Sequence, residues 1–546
     1  TRCGKHYLPH QPIVSPGGRF PVPRRSNRPL LAFRCGPRIK PYLLEDATTM
    51  VASVLVDTLA TFLHMENTFS IDDAHVGKNN GVDVTVFAGD VVLGRGFVPF
   101  NVTNAEISIN LGRLIPRRSP YKLTCTGMID TTRKNSEAFT VNSSLWYLPT
   151  PYFGSVTKVD FKTKATLFKN KCGNSFETVF PIGFYTSFTG YLDVDLTILD
   201  EVKAQGFNII HPVPPFNDLN VLSRVLDHME DIGLYLMYDM RHTYRNSTQI
   251  GREVSLIQRR SNLLLWYTAD EPDGHGDALE ATRTAYDVVN SHDGYHPVSL
   301  ALNCADYEFP AYAAGADIIM PDVYSIGNNV TFSAKYNTGC TSEFGCCGCD
   351  ECKGGLNDVS IRLDVMHERV HALDWDKTKI VWSVTQAFGG EEFWVRPPTG
   401  REWLVQSVLS IIHGARGIIP WIDPAPLDIK KAASNLANAL SSVKTYIFDP
   451  DVFFSREEVV AVDVGKWRLP TLTLIMMTSV TQENAVIELS ALSGIKTIAN
   501  MEWILGEGAT IQDSKPDGVR TIVFEPLGTA IFLIHAAKMQ AGRDEL

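Results

Sequence analysis

The chain has 546 residues, 44% hydrophobic and 20% charged, which suits a globular protein with one large domain and one or two accessories. Its formal net charge of −11 argues against nucleic acid as the main partner, because phosphate binding wants a basic surface. No apolar run approaches the roughly 20 residues that span a bilayer, so no membrane partner is expected. Residues 1–39 carry many Pro and Arg and read as an extended arm, and the opening Thr1-Arg2-Cys3 reads as a mature or trimmed start. Residues 40–175 hold alternating stretches such as Val82-Asp83-Val84-Thr85-Val86 and Glu106-Ile107-Ser108-Ile109-Asn110, broken by Gly, Asn and Pro turns. That pattern predicts an antiparallel β-sandwich.

From 176 to 443 one grammar repeats: a short apolar run, a loop, a helical stretch. The runs are 179–185, 208–213, 235–240, 263–269, 297–303, 318–323, 380–386 and 417–421, rich in Ile, Val, Leu and aromatics as strands buried on both faces should be. Helical patterns between them include 191–205, 217–232, 277–290, 359–372 and 401–413, and Gly206 and Gly233 stand where a helix hands over to a strand. Eight such units over about 250 residues predict an α/β fold of (β/α)₈ barrel type. A doubly wound open sheet fits less well, since no Gly-rich phosphate loop follows the first strand. Residues 444–546, with apolar runs at 471–476, 485–489 and 521–524, predict a smaller C-terminal β domain.

Ten cysteines and four sequons point to an oxidising secretory route, the chain being secreted or retained in the endoplasmic reticulum lumen. N-glycans are expected at Asn101, Asn142, Asn246 and Asn329. The terminal Arg543-Asp544-Glu545-Leu546 is similar to the Lys/His-Asp-Glu-Leu retrieval signal. Five cysteines crowd one segment (Cys340, Cys346, Cys347, Cys349 and Cys352), and disulfides are expected there rather than a zinc knuckle, for want of a second well-spaced pair or a nearby histidine. Five is odd, so one should reach outside to Cys304, leaving Cys3, Cys35, Cys125 and Cys172 for the N-terminal part. No free thiol is expected. No H-E-x-x-H spacing appears, so neither a metal nor a cofactor is expected, and no G-x-S-x-G elbow supports a serine hydrolase.

In a barrel of this kind catalytic groups belong at the C-terminal strand ends. Those ends supply Tyr185, His211, Asp239 with Arg241, Asp270 with Glu271, Asn303, Asp322 with Tyr324, Gln386, and Trp421 with Asp423. Carboxylates, aromatic platforms and amide or guanidinium donors suit sugar rings, whose faces stack and whose hydroxyls need fixed partners. A carbohydrate is therefore the expected partner.

The segment Leu265-Trp266-Tyr267-Thr268-Ala269-Asp270-Glu271-Pro272-Asp273 follows the fourth of the eight runs. It resembles the end of strand four in the large clan of retaining glycosidases with (β/α)₈ barrels, where Asn-Glu-Pro carries the acid/base glutamate. The resemblance covers the barrel, about half of the chain. It implies a hydrolase of O-glycosyl bonds with Glu271 as acid/base. The clan's pattern then breaks: its seventh strand ends in a nucleophilic glutamate, whereas Val381-Trp382-Ser383-Val384-Thr385-Gln386 ends in an amide. Three repairs are open. Glu391 or Glu392 can swing in from the following loop. Asp322 can act as nucleophile, or as the base for an inverting water. Or the Asp270-Glu271 pair works as in the hexosaminidases it also resembles, where the substrate's acetamido group attacks. Asp322 is favoured, because a strand end holds a carboxylate more rigidly than a loop. Arg241 is expected either to bind a substrate hydroxyl or carboxylate or to pair with Asp239 as scaffold, and His211 to be a hydrogen-bonding subsite residue rather than a base. The rival reading, prompted by Gln386, is a non-catalytic carbohydrate-binding or scaffold protein on a degenerate barrel.

Overall fold

The computed structural model describes residues 2–11, 18–71, 81–129, 137–495, 500–514 and 519–535. The terminal Arg543–Leu546 tetrapeptide, considered above as a retrieval signal, lies outside them. Two four-stranded antiparallel sheets come first. One holds Arg25–Pro37, Ser53–Leu63, Thr68–Ser70 and Ala105–Ser108; the other holds Gly81–Ala88, Val91–Pro99, Tyr121–Ile129 and Glu137–Leu145. Alternate residues such as Val82, Val84 and Val86 point inward, and Phe33, Val54 and Val141 meet them in one shared core. Residues 25–37 therefore form a long paired strand, not part of a free arm. Their Pro and Arg content hid a run, Leu30–Phe33, that is fully buried.

A third antiparallel sheet (Ile39–Lys40, Ser155–Asp160, Ala165–Asn170, Glu177–Val179) lies under the parallel strands. Ser155 Oγ donates to the carbonyl of Leu263 at 2.8 Å, and the Phe168 and Tyr235 rings pack 4.6 Å apart.

The parallel sheet pairs seven strands in chain order: Gly183–Ser187, Ile209–Val213, Tyr235–Asp239, Leu263–Asp270, Val298–Leu302, Ile318–Pro321 and Ile380–Val381. It curls. The eighth run reaches both edges, with Ile418 N–H donating to Pro181 at 2.9 Å and Ser383 N–H donating to Gly417 at 2.9 Å. Further along, Trp421 N–H donates to Thr385 at 3.0 Å and Asp423 N–H to Tyr185 at 2.8 Å. Inside the curl pack Ile209, Met237, Leu265, Met320, Trp382 and Ile419. Outside lie helices that include Thr197–Ala204, Leu219–Asp231, Ser247–Ile257, Ala281–His292, Asn357–Ala372 and Gly400–Ile412. Asp218 and Asn246 cap Leu219–Asp231 and Ser247–Ile257 through their side chains, and Gly206 (φ +92°) and Gly233 (φ +71°) turn the chain out of Thr197–Ala204 and Leu219–Asp231.

Helix Leu427–Ile447 runs through residue 443, and the six-stranded C-terminal antiparallel sheet packs Trp467, Leu474 and Met476 into the same core as that helix. Among the described residues no helix is long and apolar enough to cross a membrane. All four sequon asparagines are exposed.

The cysteines pair differently from expectation. Cys304 joins Cys3, not the crowded segment, and Cys35 joins Cys125 across the first two sheets. Within the segment Cys340 joins Cys347 and Cys349 joins Cys352, leaving Cys346 free; Cys172 is free as well. The odd thiol of the segment stays unpaired because residue 3, distant in sequence, reaches Cys304 first.

Candidate active site

A cavity of about 450 Å³ opens at the C-terminal ends of the parallel strands. Asp270, Glu271, Asp322, Tyr185, Tyr324, Trp421, Glu391 and Glu392 line it. A larger one of about 880 Å³ lies by the opposite strand ends, where Lys40, Asp317 and Tyr286 pair with one another. Size does not choose between them; the unmatched carboxyl chemistry sits in the smaller.

Strand Leu263–Asp270 ends in a sharp turn. Glu271 takes φ +46°, the left-handed region, immediately before Pro272, which starts the short helix Pro272–His275. Such a conformation costs a non-glycine residue about 1–3 kcal/mol, so the surroundings must hold it. Its N–H donates to Ala301 at 3.2 Å. Two residues on, Asp273 accepts from the N–H groups of Asn303 (3.2 Å) and Cys304 (2.9 Å), tying the turn to the end of the next strand. Burial pushes Asp273 up to about 6.

The carboxyls of Glu271 and Asp322 face each other and act on each other's titration. The Asn303 amide serves both, its Nδ2 donating to Glu271 Oε1 at 3.2 Å and to Asp322 Oδ1 at 3.3 Å. The two carboxyls do not titrate alike. Burial, reinforced by the neighbouring Glu271, pushes Asp322 well above the carboxylate range. Burial would also raise Glu271, but the guanidinium of Arg2, bonded to its Oε2, together with Asp322 and His275 outweighs burial and holds it below. The two carboxyls are thus driven apart, Asp322 up and Glu271 down.

Behind the pair runs a buried polar chain. His211 Nε2 lies 2.7 Å from Asp239 Oδ2, which also accepts from Arg241 Nε at 2.7 Å, and Arg241 Nη1 donates to Asp270 at 2.7 Å. Tyr267 donates to the other oxygen of Asp270. Burial pushes Asp270 up, against the pull of Arg241. His211 is fully buried, its ring 4.0 Å from that of Tyr185, and burial lowers its pKa. His211, Asp239 and Arg241 thus support Asp270, Tyr185 and Trp421, and none of the three is among the residues lining the cavity. Of the two expectations for Arg241, pairing with Asp239 is the contact present.

Gln386 is buried as well. Its Oε1 accepts from Ile326 N–H at 3.0 Å and its Nε2 donates to the carbonyls of Ile326 (2.9 Å) and Phe388 (3.2 Å). It fastens two loops and does not reach the cavity. Glu391 and Glu392 do line the cavity but are exposed, and Glu392 pairs with Lys335 at 2.7 Å. Asn303, placed with the carboxyls, is 3% exposed.

Sequence reasoning missed Arg2, Tyr7, Lys335, Tyr336, Phe388 and Trp394, all of which line the cavity. The aromatic run Phe393-Trp394 beside Glu391-Glu392 was a readable hint; Arg2 had none, being 269 residues from its partner.

No family model matches the chain, and no curated protein matches it. Similar solved structures include a GH30 endoxylanase from Clostridium papyrosolvens C71 (10% identity, 66% of this chain and 97% of that one, TM-score 0.39). Others are an α-amylase from Geobacillus thermoleovorans complexed with acarbose (10% identity, 64% and 93%, TM-score 0.41) and a β-glucuronidase from Ruminococcus gnavus (11% identity, 73% and 62%, TM-score 0.32).

Proposed function

We propose that this chain is a glycoside hydrolase of the secretory pathway, working at the open end of a (β/α)₈ barrel flanked by a β-sandwich and a smaller β domain. The observation that carries the reading is the Glu271–Asp322 pair: two carboxyls joined by the Asn303 amide, one pushed up and the other held down, at the ends of strands four and six, in a cavity walled by Tyr185, Tyr324, Trp394 and Trp421. Breaking a glycosidic bond needs one protonated and one ionised carboxyl close to the same oxygen and anomeric carbon, and aromatic walls suit the faces of sugar rings. Asp322 takes the place left empty by Gln386. The four exposed sequons carry N-glycans in this reading, as befits a chain with four disulfides.

One observation favours the rival, a sugar-binding protein without turnover: Arg2 already occupies Glu271. A panel of aryl glycosides separates the two. Hydrolysis abolished by Glu271→Gln is expected; sugar binding with no turnover on any member would establish the rival.

A further inference from the structure

Glu271 of the Glu271–Asp322 pair is bonded by Arg2, 269 residues away in sequence. Arg2 is carried into the cavity on a pinned segment. The Cys3–Cys304 disulfide anchors it beside Asn303, and the backbones of Arg2 and Lys5 exchange two hydrogen bonds of 2.9 Å. Lys5 Nζ meets Asp350 at 2.6 Å, and Gly345 N–H donates to His6 at 2.7 Å. The guanidinium lies flat over Gly274, where an added Cβ would come within 3.2 Å of Cζ. From there Nη2 bonds Glu271 Oε2 while Nε donates to Asn303 Oδ1 at 3.1 Å.

The second contact matters as much as the first. An amide whose oxygen is taken by Arg2 must turn its nitrogen to the carboxyls, and Asn303 Nδ2 faces both. So Arg2 supplies a charge to Glu271 directly and a fixed donor to the pair through Asn303. The groups facing Glu271 are Arg2, His275, Tyr324, Cys346, Asp270, Asp273 and Asp322. Asp322 faces Glu271, Asp270, Asp273 and Tyr324, and the charge of Arg2 reaches it as well. A guanidinium bonded to one carboxyl of such a group leaves the other as the site of the proton.

We propose that Arg2 is a positioning residue of this site, keeping Glu271 as the carboxylate and leaving Asp322 as the proton donor. That is the reverse of what the strand-four resemblance implies for Glu271, and it rests on the glycosidase reading. In the reaction the proton of Asp322 passes to the glycosidic oxygen as its bond to C1 breaks and the alcohol leaves. The Glu271 anion meets the positive charge that develops at C1. Water then delivers hydroxide to C1 and its proton to Asp322, which restores the pair.

The test uses the full-length protein and aryl glycosides, from the panel member it hydrolyses, with leaving groups of graded basicity. With Asp322→Asn, kcat/KM is expected to fall about 100-fold or more on poor leaving groups and far less on dinitrophenyl glycosides, which need no proton. Glu271→Gln is expected to fail on both. Arg2→Gln should move the acidic limb of the kcat/KM profile to higher pH, because kcat/KM needs Glu271 ionised, and Arg2→Lys should restore it in part. Infrared difference spectra at pH 7 give a readout independent of turnover: the protonated-carboxyl band should be lost in Asp322→Asn and retained in Glu271→Gln. Leaving-group dependence appearing in Glu271→Gln instead, or the band vanishing there, would overturn the proposal. So would an Arg2→Gln variant that is several-fold faster with an unmoved profile, which would make Arg2 a plug. Absence of turnover on every glycoside sinks the glycosidase reading, and the infrared bands then judge the proton's place by themselves.

Discussion

Gln386 shows how a side chain at the expected place can be committed to other work. Its amide satisfies one donor and two acceptors of buried backbone, a set that a carboxylate cannot match, since a carboxylate only accepts. Gln386→Glu, which rebuilds the clan's sequence pattern, should therefore not raise activity. It should instead cost roughly 1–3 kcal/mol for the carbonyls left without donors, read as a lower urea midpoint. Arg241 makes the converse case. It neutralises Asp239 and Asp270 together in a setting where Arg241 is only 9% exposed and Asp239 not at all. Arg241→Gln leaves the buried Asp239 and the partly exposed Asp270 short of a cation and should destabilise the protein by about 3 kcal/mol. A loss under 1 kcal/mol in urea unfolding would show that water reaches the chain His211–Asp239–Arg241–Asp270.

The elements that sequence reveals are those held by local pattern. Runs such as 263–269 are apolar on both faces over a strand's length, so their burial between helices and inner core was legible, and with it the place of Glu271 and Asp322 at strand ends. The seventh run shows the limit. Its paired strand is only Ile380–Val381, although Ser383, Val384 and Gln386 still bridge to neighbours, because the end of the run turns to tie loops. The N-terminal segment was illegible for a different reason: a contact between residues 2 and 271 leaves no periodicity behind, and the Cys3–Cys304 bond that fixes it spans 301 residues. Parity of the crowded cysteines suggested an outside partner for one of them, yet geometry allowed Cys304 to go elsewhere. Two free thiols, Cys172 and Cys346, should thus appear on alkylation of the denatured, unreduced protein, with exposed Cys172 reacting first in the native state. If the segment acts as a unit, replacing both Cys3 and Cys304 by Ala should release Arg2 and shift the acidic limb of the pH–rate profile as far as Arg2→Gln does. A profile identical to wild type would mean that the Lys5, His6 and Gly345 contacts suffice.

At the scale of the whole molecule, pH acts on the packing between layers through His367. The residue sits on helix Asn357–Ala372 against Gly414, where the third N-terminal sheet contributes Lys164 and the loop after helix Gly400–Ile412 contributes Arg416. Burial first, and then the charges of Arg416 and Lys164, lower its pKa to about 4, against the opposing pull of Asp376 and Asp364. The unfolded chain, near 6.5, takes up a proton first. The contribution of neutral His367 is therefore complete above pH 6.5 and is lost as pH falls from there toward 4. Asp273 and Asp374, both pushed up to about 6 by burial, work the other way, because the folded protein protonates them before the unfolded chain does. The wild-type curve alone mixes these opposed slopes, so the informative quantity is a difference. His367→Gln removes one titration and leaves both aspartates. Relative to this variant, wild type should lose roughly 2 kcal/mol of stability between pH 7.5 and pH 5. Urea unfolding followed by tryptophan fluorescence at both pH values measures it, and a difference that stays constant within about 0.5 kcal/mol would place the acid sensitivity of the interlayer packing on other groups.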